Sequence, residues 1–126
     1  MVDEMVHATV SIASLAAPNY RRTLENVPVD TGGEYNWIPA SVLQELGIVP
    51  MRIDRFETAD GRVLEREIGF AMLYASDRST PTIVVFAGVG DPMLLGAFGL
   101  EGLNLRIDLG RKELVHAGPV SAAPAA

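Results

Sequence analysis

The chain has 126 residues, 48% hydrophobic and 21% charged, with a formal net charge of −6 and no cysteine. That length gives one domain of ordinary size, large enough for a core that needs no disulfide or metal staple. The acidic balance argues against nucleic acid, since phosphate binding needs clustered cations and only Arg21-Arg22 and Arg111-Lys112 are adjacent; the missing thiols exclude cysteine catalysis and fit a reducing compartment.

Met1 to His7 carries Asp3 and Glu4 and no basic n-region, so no secretory signal is expected there. No apolar run approaches the roughly 20 residues needed to span a bilayer. The expectation is a soluble cytoplasmic protein with no membrane partner. Val6 to Ser14 alternates through Val6, Ala8, Val10 and Ile12, as a half-buried strand does. Ala16 to Tyr20, with Pro18-Asn19, reads as a turn, and Arg22 to Val29 as a second strand running into Asp30-Thr31-Gly32-Gly33. After the short apolar piece Trp37-Ile38, Pro39 to Gly47 reads as a short helix stopped by glycine.

Arg52 to Thr58 and Arg62 to Ile68 flank Ala59-Asp60-Gly61, a strong hairpin signal, and the charge on both arms predicts that it projects from the body. Phe70 to Ala75 reads as a separate strand, and the β-branched run Thr80 to Phe86 as the most buried one. Gly88 to Pro92 is a loop. Ala97 to Gly102 reads as a second short helix capped by Gly102, and Leu103 to Asp108 and Glu113 to His116 as closing strands. Residues 1–117 form the expected domain. Residues 118–126, rich in Gly, Pro, Ser and Ala, read as a disordered tail. The pattern is mostly β, closed or sandwiched, with two short helices.

Asp30 ends an apolar strand and is followed by a small hydroxyl residue and two glycines. Val27, Val29 and Trp37-Ile38 place it in apolar surroundings, where a carboxylate must be hydrogen-bonded, paired or protonated. Taken alone, the four residues also fit an ordinary turn. The order Pro28-Val29-Asp30-Thr31-Gly32, Trp37-Ile38-Pro39, the Asp60-Gly61 hairpin and Leu94-Leu95-Gly96 before Ala97 resembles the retropepsin-like aspartic protease family over Val6 to about Val115. No single one of these motifs is specific; their combination carries the resemblance.

The resemblance implies a closed acid-protease β-barrel, one lobe per subunit. It also implies a homodimer in which Asp30 of each copy forms a catalytic dyad cleaving peptide or protein substrates without metal or cofactor. Two carboxylates about 3 Å apart cannot both ionise cheaply, so such a pair shares one proton. Thr31 would bond across the two-fold axis, and the Gly32 N–H would bond the carboxylate. Leu94, Leu95 and Gly96 would support the loop from below, and Ala59, Asp60, Gly61 and Arg62 would form the flap tip. That polar tip is closer to bacterial and archaeal members than to viral ones. Gly33 stands where the family usually has Ala. Ala97 stands where viral members often carry an Arg that pairs with an acid such as Glu34.

A catalytically silent dimeric binding or assembly module of the same fold is the alternative. A turn aspartate in an unrelated β-barrel is a third reading. His7 and His116 have no acid at metal-ligand spacing, and no serine lies in a Gly-x-Ser-x-Gly setting. Gly88-Val89-Gly90 and Gly96 to Gly102 lack the Lys-Ser/Thr of a phosphate loop. Trp37 reads as core or pocket wall.

Overall fold

A computed structural model describes residues 5–123. Among them lie eight strands and two short helices. In chain order these are β1 (Val6–Ser14), β2 (Ala17–Val29), β3 (Asn36–Pro39), α1 (Ala40–Glu45), β4 (Arg52–Glu57), β5 (Val63–Ala75), β6 (Arg78–Ala87), α2 (Ala97–Leu103), β7 (Leu105–Asp108) and β8 (Glu113–His116). The mostly β character with two helices agrees with the sequence pattern. The expectations for Met1 to Glu4 and for the last three residues of the tail lie outside the described residues. Gly118 to Ala123 contain no strand or helix, and among the described residues no helix is long and apolar enough to cross a membrane.

Alternation in β1 buries Val6, Val10 and Ile12, and the strand lies between β2 and β5, antiparallel to both. The turn after it is shorter than predicted, only Leu15-Ala16. Pro18, Asn19 and Tyr20 instead lie inside β2, in a bulge between the pairs Ser14↔Ala17 and Ala13↔Arg21. Proline is tolerated there because β2 is the edge of the sheet and a bulge needs no ladder N–H. The Tyr74 hydroxyl donates to the Pro18 carbonyl at 2.7 Å and pins the bulge.

The sequence places a break near Gly69, but β5 runs through it as one strand of 13 residues. Its first half pairs β4 as a hairpin, and its second half lies between β1 and β6. Gly69 permits this: a Cβ there would come within 3.0 Å of the Val49 carbonyl oxygen and 3.3 Å of the Phe86 ring. β4 supplies no residue to the hydrophobic core, whereas every other strand and both helices do so or pack against it. The hairpin therefore projects, as its charge pattern predicts.

The sheet order is β2-β1-β5-β6-β3, with β4 attached to β5, and β7-β8 form a separate pair. This is an open sheet and not the closed barrel expected from the sequence. β3 is only four residues long and ends at Pro39, where the chain enters α1; it pairs with β6 and not with β2, so the two ends of the sheet do not meet. β3 pairs in parallel with β6, which brings Asn36 to Pro39 into the middle of the molecule. The apolar centre, including Ile12, Ile38, Leu43, Leu73, Val84, Leu95 and Leu103, lies between the sheet and the two helices.

The second helix does not stop at Gly102. It continues to Leu103, and Asn104 takes the left-handed cap at φ 54°. Gly102 is used for packing, because a Cβ there would collide with the Thr80 side chain. Gly102→Ala should therefore lower Tm in thermal denaturation, although alanine favours a helix by up to about 1 kcal/mol over glycine. Adding Thr80→Ala should restore part of the loss.

Candidate active site

Period-two alternation at the end of β2 turns Val27 and Val29 inward and leaves Asp30 outside. The sequence reading puts Asp30 in apolar surroundings; in the single chain Val27, Val29 and Ile38 are buried, but Asp30 itself and the following Thr31 and Gly32 are exposed. The loop is nonetheless ordered by its own bonds. The Gly32 N–H donates to Asp30 Oδ1 at 2.9 Å, and the Gly33 N–H to the Asp30 carbonyl at 3.1 Å. A Cβ on Gly33 would press on Leu94 Cδ2 at 2.9 Å, so glycine at this position leaves room for that leucine.

Leu94-Leu95-Gly96 is threaded between the end of β2 and β3. The Leu95 N–H donates to the Pro28 carbonyl at 2.8 Å, and the Asp30 N–H to the Leu95 carbonyl at 3.0 Å. On the other side Leu94 and Trp37 exchange two bonds of 2.9 and 2.8 Å. Gly96 then passes so close to the loop that a Cβ would collide with the carbonyl oxygens of Gly33, Glu34 and Tyr35. The Gly33 and Glu34 carbonyls accept the first N–H groups of α2, from Ala97 at 2.8 Å and Phe98 at 3.0 Å.

Asn36, which the sequence reading did not single out, holds this assembly. It is fully buried. Its Nδ2 donates to Thr82 Oγ1 at 3.1 Å and to the Ile83 carbonyl at 2.9 Å, and its Oδ1 accepts the Gly96 N–H at 2.9 Å. The available signal was a lone amide beside the apolar Trp37-Ile38, where a polar side chain must find partners.

The hairpin tip is bonded within itself. The Thr58 N–H donates to the Arg62 carbonyl at 2.8 Å and the Gly61 N–H to the Thr58 carbonyl at 2.9 Å, with Gly61 at φ 86°. The Thr58 hydroxyl and then the Arg62 backbone N–H bond the Asp60 carboxylate and hold its pKa below the usual value. Ala59, Asp60, Gly61 and Arg62 do not line the recess beside the Asp30 loop; the shaft of the hairpin does.

That recess, of about 460 Å³, lies between Gly32 to Tyr35 and Trp37 on one side and Asp54 to Glu57 on the other. Phe56 meets Tyr35 and Trp37 edge to face, with centroids 5.5 and 5.1 Å apart. The Tyr35 hydroxyl donates to Asp54 Oδ2 at 3.1 Å, and Arg52 Nε to Asp54 Oδ1 at 2.8 Å. The Arg52 bond is the main reason that the Asp54 carboxyl titrates below its usual range. Tyr35 and Phe56 were legible only as isolated aromatics, because nothing local says that residues 21 positions apart share a wall.

A second groove, of about 630 Å³ and mainly apolar, lies beside Thr31 between α2 and β7, lined by Leu100, Leu105, Ile107 and Leu109 among others. The loop from Gly88 to Asp91, which leads into Leu94, is clamped to the root of the hairpin. Arg66 donates to Asp91 from Nε at 2.7 Å and Nη2 at 3.0 Å, and the Gly88 N–H adds a third bond at 2.7 Å. The Asp91 side chain is 9% exposed, and its carboxyl is held below the usual value chiefly by Arg66. His116 is exposed and bonds Asp77 through Nε2 at 2.8 Å. No protein-family model and no curated protein matches this chain.

Replacing Asn36 with Leu strands the Gly96 N–H and loosens the support of Asp30; denaturant unfolding should show a loss of about 2–4 kcal/mol. Asp91→Asn should reduce stability at neutral pH by about 1–3 kcal/mol. Because the native Asp91 pKa is lowered, its contribution is present above about pH 4 and disappears as pH falls through the lowered value. Wild type and variant should therefore converge in acid-unfolding curves below about pH 4.

Proposed function

We propose that this chain is one subunit of an aspartic endopeptidase of the retropepsin-like type, with Asp30 of two copies acting as the catalytic pair. The observation that carries this is the Asp30-Thr31-Gly32 loop. Its carboxylate is presented to solvent, its backbone is gripped by Leu94-Leu95-Gly96, and a recess separates it from the shaft of a projecting hairpin. The motif order in the sequence and this hydrogen-bonded support belong to the same reading.

The second copy supplies what the single chain lacks. Each chain has one Asp-Thr-Gly, so a dyad requires a two-fold axis close to Thr31. The apolar groove beside Thr31, with Leu109 68% exposed, supports that face as the contact. In the paired site the ionised carboxylate takes a proton from water while the protonated one hydrogen-bonds the scissile carbonyl oxygen. Water oxygen bonds to the carbonyl carbon. A proton then passes to the amide nitrogen as the C–N bond breaks, giving acid and amine. Among the described residues β4 pairs only with β5, which leaves its other edge to hold an extended peptide backbone as an added strand.

The test is cleavage of a diverse peptide mixture by wild type and Asp30→Asn between about pH 3 and pH 7, a range that brackets carboxyl titration, with sedimentation of both proteins. The expected outcome is a dimer in both cases, cleavage by wild type, and a loss of at least about 10³-fold in the variant. A dimer that cuts nothing points to the binding-module alternative. A monomer at high concentration sinks the shared site.

A further inference from the structure

The recess beside the Asp30 loop has a chemistry of its own. Three rings, Tyr35, Trp37 and Phe56, wall it, and Glu34 stands on its rim. Glu34 is exposed, and among the described residues its carboxylate has no ion pair or hydrogen bond; only its backbone carbonyl is used, by the Phe98 N–H. Of the neighbouring charges, Asp54 and Arg55 are engaged elsewhere, while Glu57, on the hairpin side of the recess, adds a second exposed carboxylate of the same sign. Asp54 is held by Arg52 and Tyr35, and Arg55 leans to Glu65, its partner across the hairpin, at 4.0 Å. The first residues of α2 above Glu34, Ala97 and Phe98, bring no cation.

We infer that this recess is a specificity subsite for a lysine or arginine side chain of an extended peptide. The methylene stem of such a residue lies along the rings, its cationic head attracts their π faces, and Glu34 supplies the counter-charge at the mouth. A volume of about 460 Å³ admits one long side chain together with water. An acidic peptide residue is repelled by Glu34, and an aliphatic one gains the rings but leaves the carboxylate unanswered. This deepens the endopeptidase reading, on which it rests for the placement of the peptide beside Asp30. It makes Glu34 a specificity residue and not a catalytic one.

Trp37 is the only tryptophan of the chain, so its emission reports on the recess directly. The Asp30→Asn protein, which leaves peptides intact, is titrated with one extended peptide scanned with lysine, norleucine or glutamate at each position. At one position the lysine peptide should bind roughly tenfold tighter than the norleucine peptide and shift Trp37 emission. Glu34→Gln should weaken that preference, adding Glu57→Gln should erase it, and Glu34→Lys should turn it toward the glutamate peptide.

Equal binding of lysine and norleucine peptides at every position, or a preference undiminished by Glu34→Gln, overturns the inference. So does a Glu34→Gln variant whose only defect is a weaker dimer in sedimentation, which would assign Glu34 to a cation of the second copy. Parallel cleavage assays on wild type separate the two readings. Cleavage without cation preference removes the subsite alone, whereas cation-selective binding without cleavage removes the endopeptidase. Absence of binding by any peptide overturns the subsite.

Discussion

The buried amide of Asn36 is the interaction on which the arrangement depends. It is placed at the start of β3, where the parallel pairing with β6 carries it beneath the Asp30 loop, and it joins β6 to Gly96 with three hydrogen bonds. From Gly96 the support passes both ways along the chain: back to Leu95, which bonds Pro28 and Asp30, and forward to α2, whose first N–H groups use the Gly33 and Glu34 carbonyls. A buried amide with every polar atom paired is strongly directional, since any shift leaves a donor or acceptor unmet in a place water does not reach. Apolar packing around Leu95 and Leu103 supplies most of the driving force, but it does not by itself select this registration.

The hairpin is positioned by a different device. β5 belongs to the central sheet in its second half and to the hairpin in its first, so the projecting arm is a continuation of the core and not a tethered loop. Arg66 on that arm and Asp91 on the loop leading into Leu94 form a partly buried, forked pair that ties the hairpin to the segment under Asp30. Tyr35, Trp37 and Phe56 close the gap from the other side. Arm, loop and support are thus tied to one another by contacts, while among the described residues the hydrogen bonds of the tip lie within the tip.

An exposed carboxylate with one backbone donor has no special reactivity alone. What gives Asp30 interest is its setting: a gripped loop, a neighbouring recess, and an apolar groove by Thr31 that the single chain does not cover. The proposed chemistry therefore belongs to a pair of chains. It takes its charge balance from two copies of one residue and its selectivity from residues such as Glu34 that each copy carries.

Much of the fold was legible in short-range pattern. Alternation from Val6 to Ile12, glycine after Leu46, Asp60-Gly61 between charged arms and the β-branched run before Phe86 each encode an element, because side-chain period and turn geometry are local properties. The Asp30 loop and Leu94-Leu95-Gly96 could be named from motif order. Where local reading failed, a distant partner had reassigned a residue. Pro18 stayed in a strand because that strand is an edge, Gly69 continued one because Val49 and Phe86 lie against it, and Gly102 served as a packing surface for Thr80 while Asn104 took the cap. The open sheet in place of a closed barrel follows from strand pairing across the chain, as do the buried role of Asn36 and the aromatic wall shared by residues 35 and 56. Sequence determines what each segment can do alone; the tertiary structure decided which segments meet, since hydrogen-bond partners and desolvation are set by neighbours far away in the chain.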